Sequence, residues 1–270
     1  MVADERDIVN TLTARAAALS HTGLVRRRNE DRVFTSQRLL AVADGMGGHT
    51  LGDVAAQYAI DGLAAIAGEL DVIGDLGERE QAVQRALTEV ADKICRHLEG
   101  RGSGNTVTRI LNFSRAAGTT LSALHLGATP LVFHVGDSRA YRYRAGQLLR
   151  VTHDHSLVQE MLDAGEITPE EAHNHPRRNI ITRAIGTYGP PAVEFTAVDL
   201  VPGDVVLLCS DGLSDELDDA EILRLMNADF LGNDAEAHVS VEDLAEHLVE
   251  AALDAGGHDN ISVVVAEINA

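Results

Sequence analysis

Apolar and polar positions change their spacing several times along the chain, and each change marks an element. RVFTS and LLAVAD, Arg32 to Ser36 and Leu39 to Asp44, read as two strands about a polar Gln37-Arg38 turn, the second apolar throughout and therefore buried. After Gly52, apolar residues recur at helical spacing through Val54, Tyr58, Ala59, Leu63 and Ile66, and again through Val83, Ala86, Leu87, Val90, Ile94 and Leu98. This predicts two amphipathic helices long enough to pack side by side. The Gly/Ser/Asn start of the segment Gly100 to Gly118 marks a loop whose middle carries no assignable pattern. TTLSALHLG, PLVFHVGDS, RAYRYRAG and QLLRVT then predict four short strands in an antiparallel meander. Ser156 to Ala172 turns helical, and Thr168-Pro169-Glu170-Glu171 is a capping box with Pro at the first helical position. DVVLLCSDG is a further strand, helices follow near Asp219 to Asn227 and Val241 to Ala255, and ISVVVAEI closes the chain as a β-branched strand. Residues 1–18 read as a polar-to-alanine lead-in, a short helix or a frayed end, and residues 19–270 as one domain. This order excludes regular βαβ alternation. It predicts an α+β fold in which sheets pack inside and helix pairs cover them.

Composition sharpens that picture. With 45% hydrophobic residues, 3% aromatics and no Trp, the core of this 270-residue chain is aliphatic. A net charge of −20 argues against sequence-independent binding to nucleic acid or to an anionic membrane, since both need a basic footprint, and its plain meaning is solubility. Cys95 and Cys209 are far apart and form no metal spacing, as expected of a reduced cytoplasmic protein. No run of about 18 apolar residues suits a membrane span, and the opening MVADERDIVNT is charged where a secretion signal is apolar. The end at Ala270 carries the further expectation that no membrane anchor follows.

The chemistry lies where strands end. Asp44 closes AVADG, Asp137 closes VFHVGDS, Asp211 closes VLLCSDG, Asp259 in GGHDN precedes the last strand and Asp31 in NED precedes an early one. Singly, each is an ordinary turn former. Jointly, carboxylates that meet at a common sheet edge repel unless cations sit among them. Oxygen ligands from Asp side chains and backbone carbonyls suit Mg²⁺ or Mn²⁺ rather than structural Zn²⁺. Gly45 frees its carbonyl to turn toward such an ion, and Gly47 and Gly48 let the chain bend away. Arg26, Arg27 and Arg28 form the only Arg triplet of the chain, which is either a solvated basic turn or a guanidinium grip for phosphate beside the metals.

GLVRRRNED, ADGMGGH, GTT, VGDSRAY, THDHSLVQEM, SDGL and GGHDN, in this order and spacing, resemble the bacterial branch of the metal-dependent Ser/Thr protein phosphatases, the PPM or protein phosphatase 2C-like family, from about Ser20 to Ile268. The resemblance implies a central β-sandwich flanked by helix pairs and hydrolysis of phosphoserine and phosphothreonine in proteins, opposing a bacterial Ser/Thr kinase. It implies two Mn²⁺ or Mg²⁺ ions at the catalytic centre and a third nearby. Asp44 then bridges two ions with the Gly45 carbonyl on one of them, and Asp211 and Asp259 bind the other. Glu30 and Asp31 hold metal-bound waters or one ion directly, Asp137 with Asp211 matches the third position, Arg26 clamps phosphate, and Asn260 holds its loop or a water. The region of about 156–186 matches a flap beside the metals, where Arg177 and Arg178 are candidates to meet acidic or phosphorylated substrate. Phosphorylated proteins are the expected partners of a monomer.

The pattern departs from the family in places. Met46 stands where many eukaryotic members carry a His proposed as general acid; His49 is the tempting substitute, though a His more often orients its neighbours, and in this loop it suits a cap for the following helix. Asp53 replaces a frequent Glu. His153-Asp154-His155 and His258-Asp259 also admit a helical class of His-Asp metal phosphohydrolases, against which both pairs abut strands. A phosphoprotein-binding regulator and a small-molecule phosphatase are the alternative functions.

Overall fold

The computed structural model describes residues 12–47, 51–100, 117–173, 175–187, 189–230 and 240–270. Twelve strands are described: β1 (Thr13–His21), β2 (Arg32–Thr35), β3 (Leu39–Ala43), β4 (Gly45–Met46), β5 (Gly118–Thr119), β6 (Leu121–His125), β7 (Leu131–Val135), β8 (Arg139–Arg144), β9 (Gln147–Arg150), β10 (Glu194–Ala197), β11 (Val205–Cys209) and β12 (Ile261–Asn269). The described helices are α1 (Gly52–Val72), α2 (Leu76–Gly100), α3 (Leu157–Asp163), α4 (Pro169–His173), α5 (Asp211–Ser214), α6 (Asp219–Phe230) and α7 (Val241–Ala255).

Ten strands form two five-stranded antiparallel sheets, ordered β1-β12-β11-β8-β9 and β10-β7-β6-β3-β2, and β4 pairs with β5. Alternate residues of each central strand point to different cores, because both faces of each sheet are covered. Leu40 and Val42 of β3 meet Leu208 of β11 and Val264 of β12 between the sheets. Leu39, Ala41 and Ala43 instead face α1 and α2 through Ala59, Leu63, Val83 and Leu87. On the opposite outer face, Leu207, Val263 and Val265 pack against Ile222 of α6 and Leu244 and Leu248 of α7. The result is four layers, α-β-β-α, which is why β3, β11 and most of β12 read as unbroken apolar runs. The capping box predicted at Thr168 is present, with Thr168 N–H donating to Glu171 Oε2 at 2.8 Å and Glu171 N–H to Thr168 Oγ1 at 3.3 Å.

Three expectations need correction. The lead-in is neither helix nor frayed end over Thr13–His21: it pairs with β12 along its whole length, from Thr13 opposite Asn269 to His21 opposite Ile261. Its alanines favour a helix locally, but the open edge of β12 decides, since strand preference is set by the neighbour. The four-strand meander divides into two hairpins, β6-β7 in one sheet and β8-β9 in the other, and the Gly136–Ser138 turn carries the chain between sheets. A further strand, β10, went unread; it extends β7, with Glu194 opposite His134. Most of the unassigned segment Gly100 to Gly118 lies outside the described residues.

Candidate metal centre and phosphate cleft

Strand ends bring the acidic residues together. Asp44 follows β3, Asp137 follows β7 and Asp211 opens α5 directly after β11, while Asp31 and Asp259 stand just before β2 and β12. A cleft of about 600 Å³ is lined by Arg26, Arg27, Arg28, Glu30, Asp44, Gly45, Met46, Asp211, Asp259 and Asn260, with Asn179 and Ile181 from the flap. Asp137 lines an adjoining cavity of about 830 Å³ between the flap and α5 and α6, and Asp211 belongs to both walls.

Backbone and side-chain bonds fix these carboxylates from behind. Thr120 Oγ1 accepts from Asp44 N–H at 3.1 Å, while Thr120 N–H and Thr119 Oγ1 both donate to the Asp44 carbonyl at 2.9 Å. Ser210 Oγ donates to Asp31 Oδ2 at 2.8 Å, and Asn29 Oδ1 accepts from Asp31 N–H at 3.0 Å. Asn260 joins the two halves of the site. Its Oδ1 accepts from Glu30 N–H, and its Nδ2 donates to the carbonyls of Thr22 and Arg28, all at 2.8 Å. The need for glycine after Asp44 is a close approach as much as a carbonyl turn: a Cβ on Gly45 would lie 2.2 Å from the Gly52 carbonyl oxygen at the start of α1 and 2.6 Å from that of Glu30.

What remains uncompensated is charge. Burial, reinforced by Asp31, Asp211 and Asp137, holds Asp44 well above the usual carboxylate range, and burial with Asp137, Asp215 and Asp259 does the same for Asp211. Burial lifts Asp31 to about 6 and, with Asp154 nearby, Asp137 to about 7. Oδ1 of Asp31, of Asp137 and of Asp211 is buried with no hydrogen-bond partner. Hard divalent cations would supply those oxygens with a partner and cancel the repulsion, so the donor set fits Mn²⁺ or Mg²⁺.

A pH prediction follows for the metal-stripped protein. Groups with raised folded-state pKa contribute stability that is fully present below their unfolded value and lost as pH rises through the folded one. For Asp31 that window runs from 3.8 to about 6, and for Asp137 from 3.8 to about 7. The stripped protein should therefore lose about 5 °C or more of Tm between pH 5 and pH 8, and added Mn²⁺ should restore more at pH 8 than at pH 5. Calorimetry with and without Mn²⁺ checks this; an equal metal effect at both pH values would contradict it.

The arginines are placed unequally. Arg26 lies over the cleft with its Nη2 paired to Asp259 Oδ2, while Arg27 and Arg28 line the same wall. Arg178 turns to Asp215 at 3.6 Å across the adjoining cavity, and Arg177 is exposed outside both cavity walls. Met46 is half-buried at the cleft and carries no proton to give, and His49 lies outside the described residues. Arg32 approaches Asp53 at 3.8 Å. The His-Asp pairs do not act as joint ligands: His258 turns away to Glu216 at 2.7 Å, His153 to Asp163 at 2.7 Å, and Asp154 is held by Arg139 at 2.7 Å. Arg139, Ser210 and the Thr119-Thr120 pair are supports that the sequence reading did not single out, although GTT, VGDSR and SDG contained them.

His134, His155 and Glu194 form another compact group of possible ligands. Its protonation is wrong for a metal. Gly136 N–H donates to His155 Nδ1 at 3.1 Å, so the ring proton is on Nε2, which faces Glu194 Oε2 at 3.2 Å. The two imidazoles also stack, with centroids 4.5 Å apart and planes 16° from parallel, so their in-plane lone pairs cannot converge on one ion.

Fold and site together define a four-layer α-β-β-α domain whose carboxylate centre, fit for hard divalent cations, opens beside an arginine loop. The chain belongs to the protein phosphatase 2C family, whose model matches residues 25–251. It is 41% identical over 96% of its length to the serine/threonine protein phosphatase PstP of Mycobacterium tuberculosis, of which it covers 46%. The chain thus spans about half of that relative. It is 35% identical to the serine/threonine phosphatase stp of Listeria innocua, with 92% of this chain and 93% of the relative aligned. The catalytic domain of PstP solved with two manganese ions superposes with a TM-score of 0.74 at 37% identity, covering 96% of this chain and all of that one.

Proposed function

We propose that this chain hydrolyses phosphoserine and phosphothreonine in proteins, with Mn²⁺ or Mg²⁺ as cofactor, and opposes a Ser/Thr kinase in the bacterial cytoplasm. The observation that carries the proposal is the set of buried carboxylate oxygens without partners on Asp31, Asp137 and Asp211, the last of which shares its cleft with Arg26–Arg28. Resemblance to relatives named as serine/threonine phosphatases supports it. Asp31, Asp44, the Gly45 carbonyl, Asp137, Asp211 and Asp259 would hold the ions. Bound there, Mn²⁺ or Mg²⁺ acidifies water and neutralises phosphoryl charge.

The chain's own residues do the remaining work. Asp44 and Asp211 are held rigidly by strand ends, so their geometry is set before substrate arrives. Arg26 pairs with Asp259, which would hold a cation; with that carboxylate so engaged, the guanidinium would be free to grip a phosphate bidentately. Asn260 keeps the Arg28–Glu30 backbone docked against the Asp259 turn, so the clamp and the metal ligands move as a unit. Met46 leaves the leaving alkoxide without a side-chain acid at that position. Neither cysteine lines the cleft, and burial pushes the Cys209 thiol up to about 12, so it is no nucleophile. Among the described residues no helix is long and apolar enough to cross a membrane.

Release of inorganic phosphate from a phosphothreonine peptide, with and without Mn²⁺, tests the proposal. Folded protein that releases none at any metal concentration would shift the reading to a phosphoprotein-binding module. Arg26→Ala should raise KM for the peptide about 10-fold or more with a smaller change in kcat, because the guanidinium contacts the phosphate before and during reaction. The same change should lower the Mn²⁺ concentration needed for half-activation, since it removes the cation that competes for Asp259.

A further inference from the structure

The turn Gly136–Ser138 carries Asp137 between the two sheets and borders the flap, and it is held from both sides. On one side Arg139 grips Asp154 through Nε and Nη2, at 3.0 and 2.7 Å to Oδ2. On the other stands His155, which is almost wholly buried. Its backbone N–H donates to the Gly136 carbonyl at 2.9 Å, and its Nδ1 accepts from the Gly136 N–H at 3.1 Å, so both polar groups of Gly136 end on this one residue.

The same residue holds the returning arm of the flap. Thr182 N–H donates to the His155 carbonyl at 2.8 Å, and Ser156 bridges to Ile181. His134 stacks against the imidazole and itself donates from Nε2 to the His153 carbonyl at 2.9 Å, which fixes the ring from behind. Ring rotation would leave the buried Gly136 N–H without an acceptor.

We propose that His155 is a positioning residue that sets the Asp137 turn for cation binding and ties it to the base of the flap. This rests on Asp137 as a metal ligand in the proposed function. His155 touches neither phosphate nor metal: its Nδ1 lone pair fixes the Gly136 N–H one residue before Asp137, and its backbone registers where the flap returns. Outer partners of this kind control metal affinity by about 10- to 100-fold.

Two substitutions separate this role from packing. His155→Asn keeps a polar atom near the Nδ1 position, where its Oδ1 can accept from Gly136 N–H, whereas His155→Gln places its amide near the Nε2 position and loses that acceptor. Mn²⁺ binding to the full chain, read by titration calorimetry and Mn²⁺ EPR, should be about 10-fold weaker at one ion for His155→Gln and within about 3-fold of native for His155→Asn. In an Asp137→Asn background, His155→Gln should cause no further loss. Native-like Mn²⁺ binding by His155→Gln, equal weakening by both variants, or undiminished Mn²⁺ binding by Asp137→Asn would each overturn the inference. These readouts need no turnover, so failure of the phosphatase reading would show separately, as native protein that binds Mn²⁺ but releases no phosphate.

Discussion

Asp44→Asn should lower kcat for a phosphothreonine peptide by about 10³-fold or more at saturating Mn²⁺, with little change in the fold. Asp44 stands among other carboxylates, with Asp31, Asp211 and Asp137 all raising its pKa, and its backbone is pinned by Thr119 and Thr120. The amide preserves shape and those backbone bonds but removes the negative charge that would hold ions together. The same argument predicts an opposite sign for stability. Without metal, Asp44→Asn should melt higher than native protein near pH 8, because one member of a mutually repelling cluster is gone. With Mn²⁺ the order should reverse. A variant that kept its turnover, or a native protein whose Tm ignored Mn²⁺, would remove the carboxylates from the mechanism.

Gly212→Ala should destabilise the protein by about 3 kcal/mol and abolish metal-dependent activity with it. Gly212 follows Asp211 in the short helix α5, and a Cβ there would lie 2.0 Å from the Asn260 carbonyl oxygen and 2.8 Å from its carbon. Both are backbone atoms of the Asp259-Asn260 turn and cannot swing aside. Relief requires the Asp211 and Asp259 segments to separate, which spoils the cation geometry and the Asn260 bridge together. Gly68→Ala provides the control: Gly68 lies inside α1 with open space where its Cβ would go, so that change should add about 0.5–1 kcal/mol and leave activity alone. Chemical denaturation of both variants checks the pair, and equal effects would show that close backbone approach is not what Gly212 serves.

Much of the fold is legible in the sequence. Fully buried strands announce themselves as apolar runs, as β3 and β11 do, and a helix covering a sheet shows a one-sided stripe, as α7 does over Val241–Ala255. β1 was not legible, because TARAAALSH carries a helical propensity and its strand state depends on a partner almost 250 positions away, β12. The break between β7 and β8 escaped for a related reason: short alternating strands look the same whether a turn returns the chain to its own sheet or sends it to the other.

The site divides along the same line. Sequence by itself determined the list of candidates, because a carboxylate at a strand end, a glycine beside it and an Arg triplet are local features that are read without the rest of the chain. Only the tertiary structure decided how they are shared out: that Asp211 stands in two cavities while Asp137 faces the flap, that Arg26 rests on Asp259, and that His155 braces Gly136 rather than binding a metal. Those facts are set by distances between segments that meet only when the two sheets close on each other. No spacing along the chain encodes them.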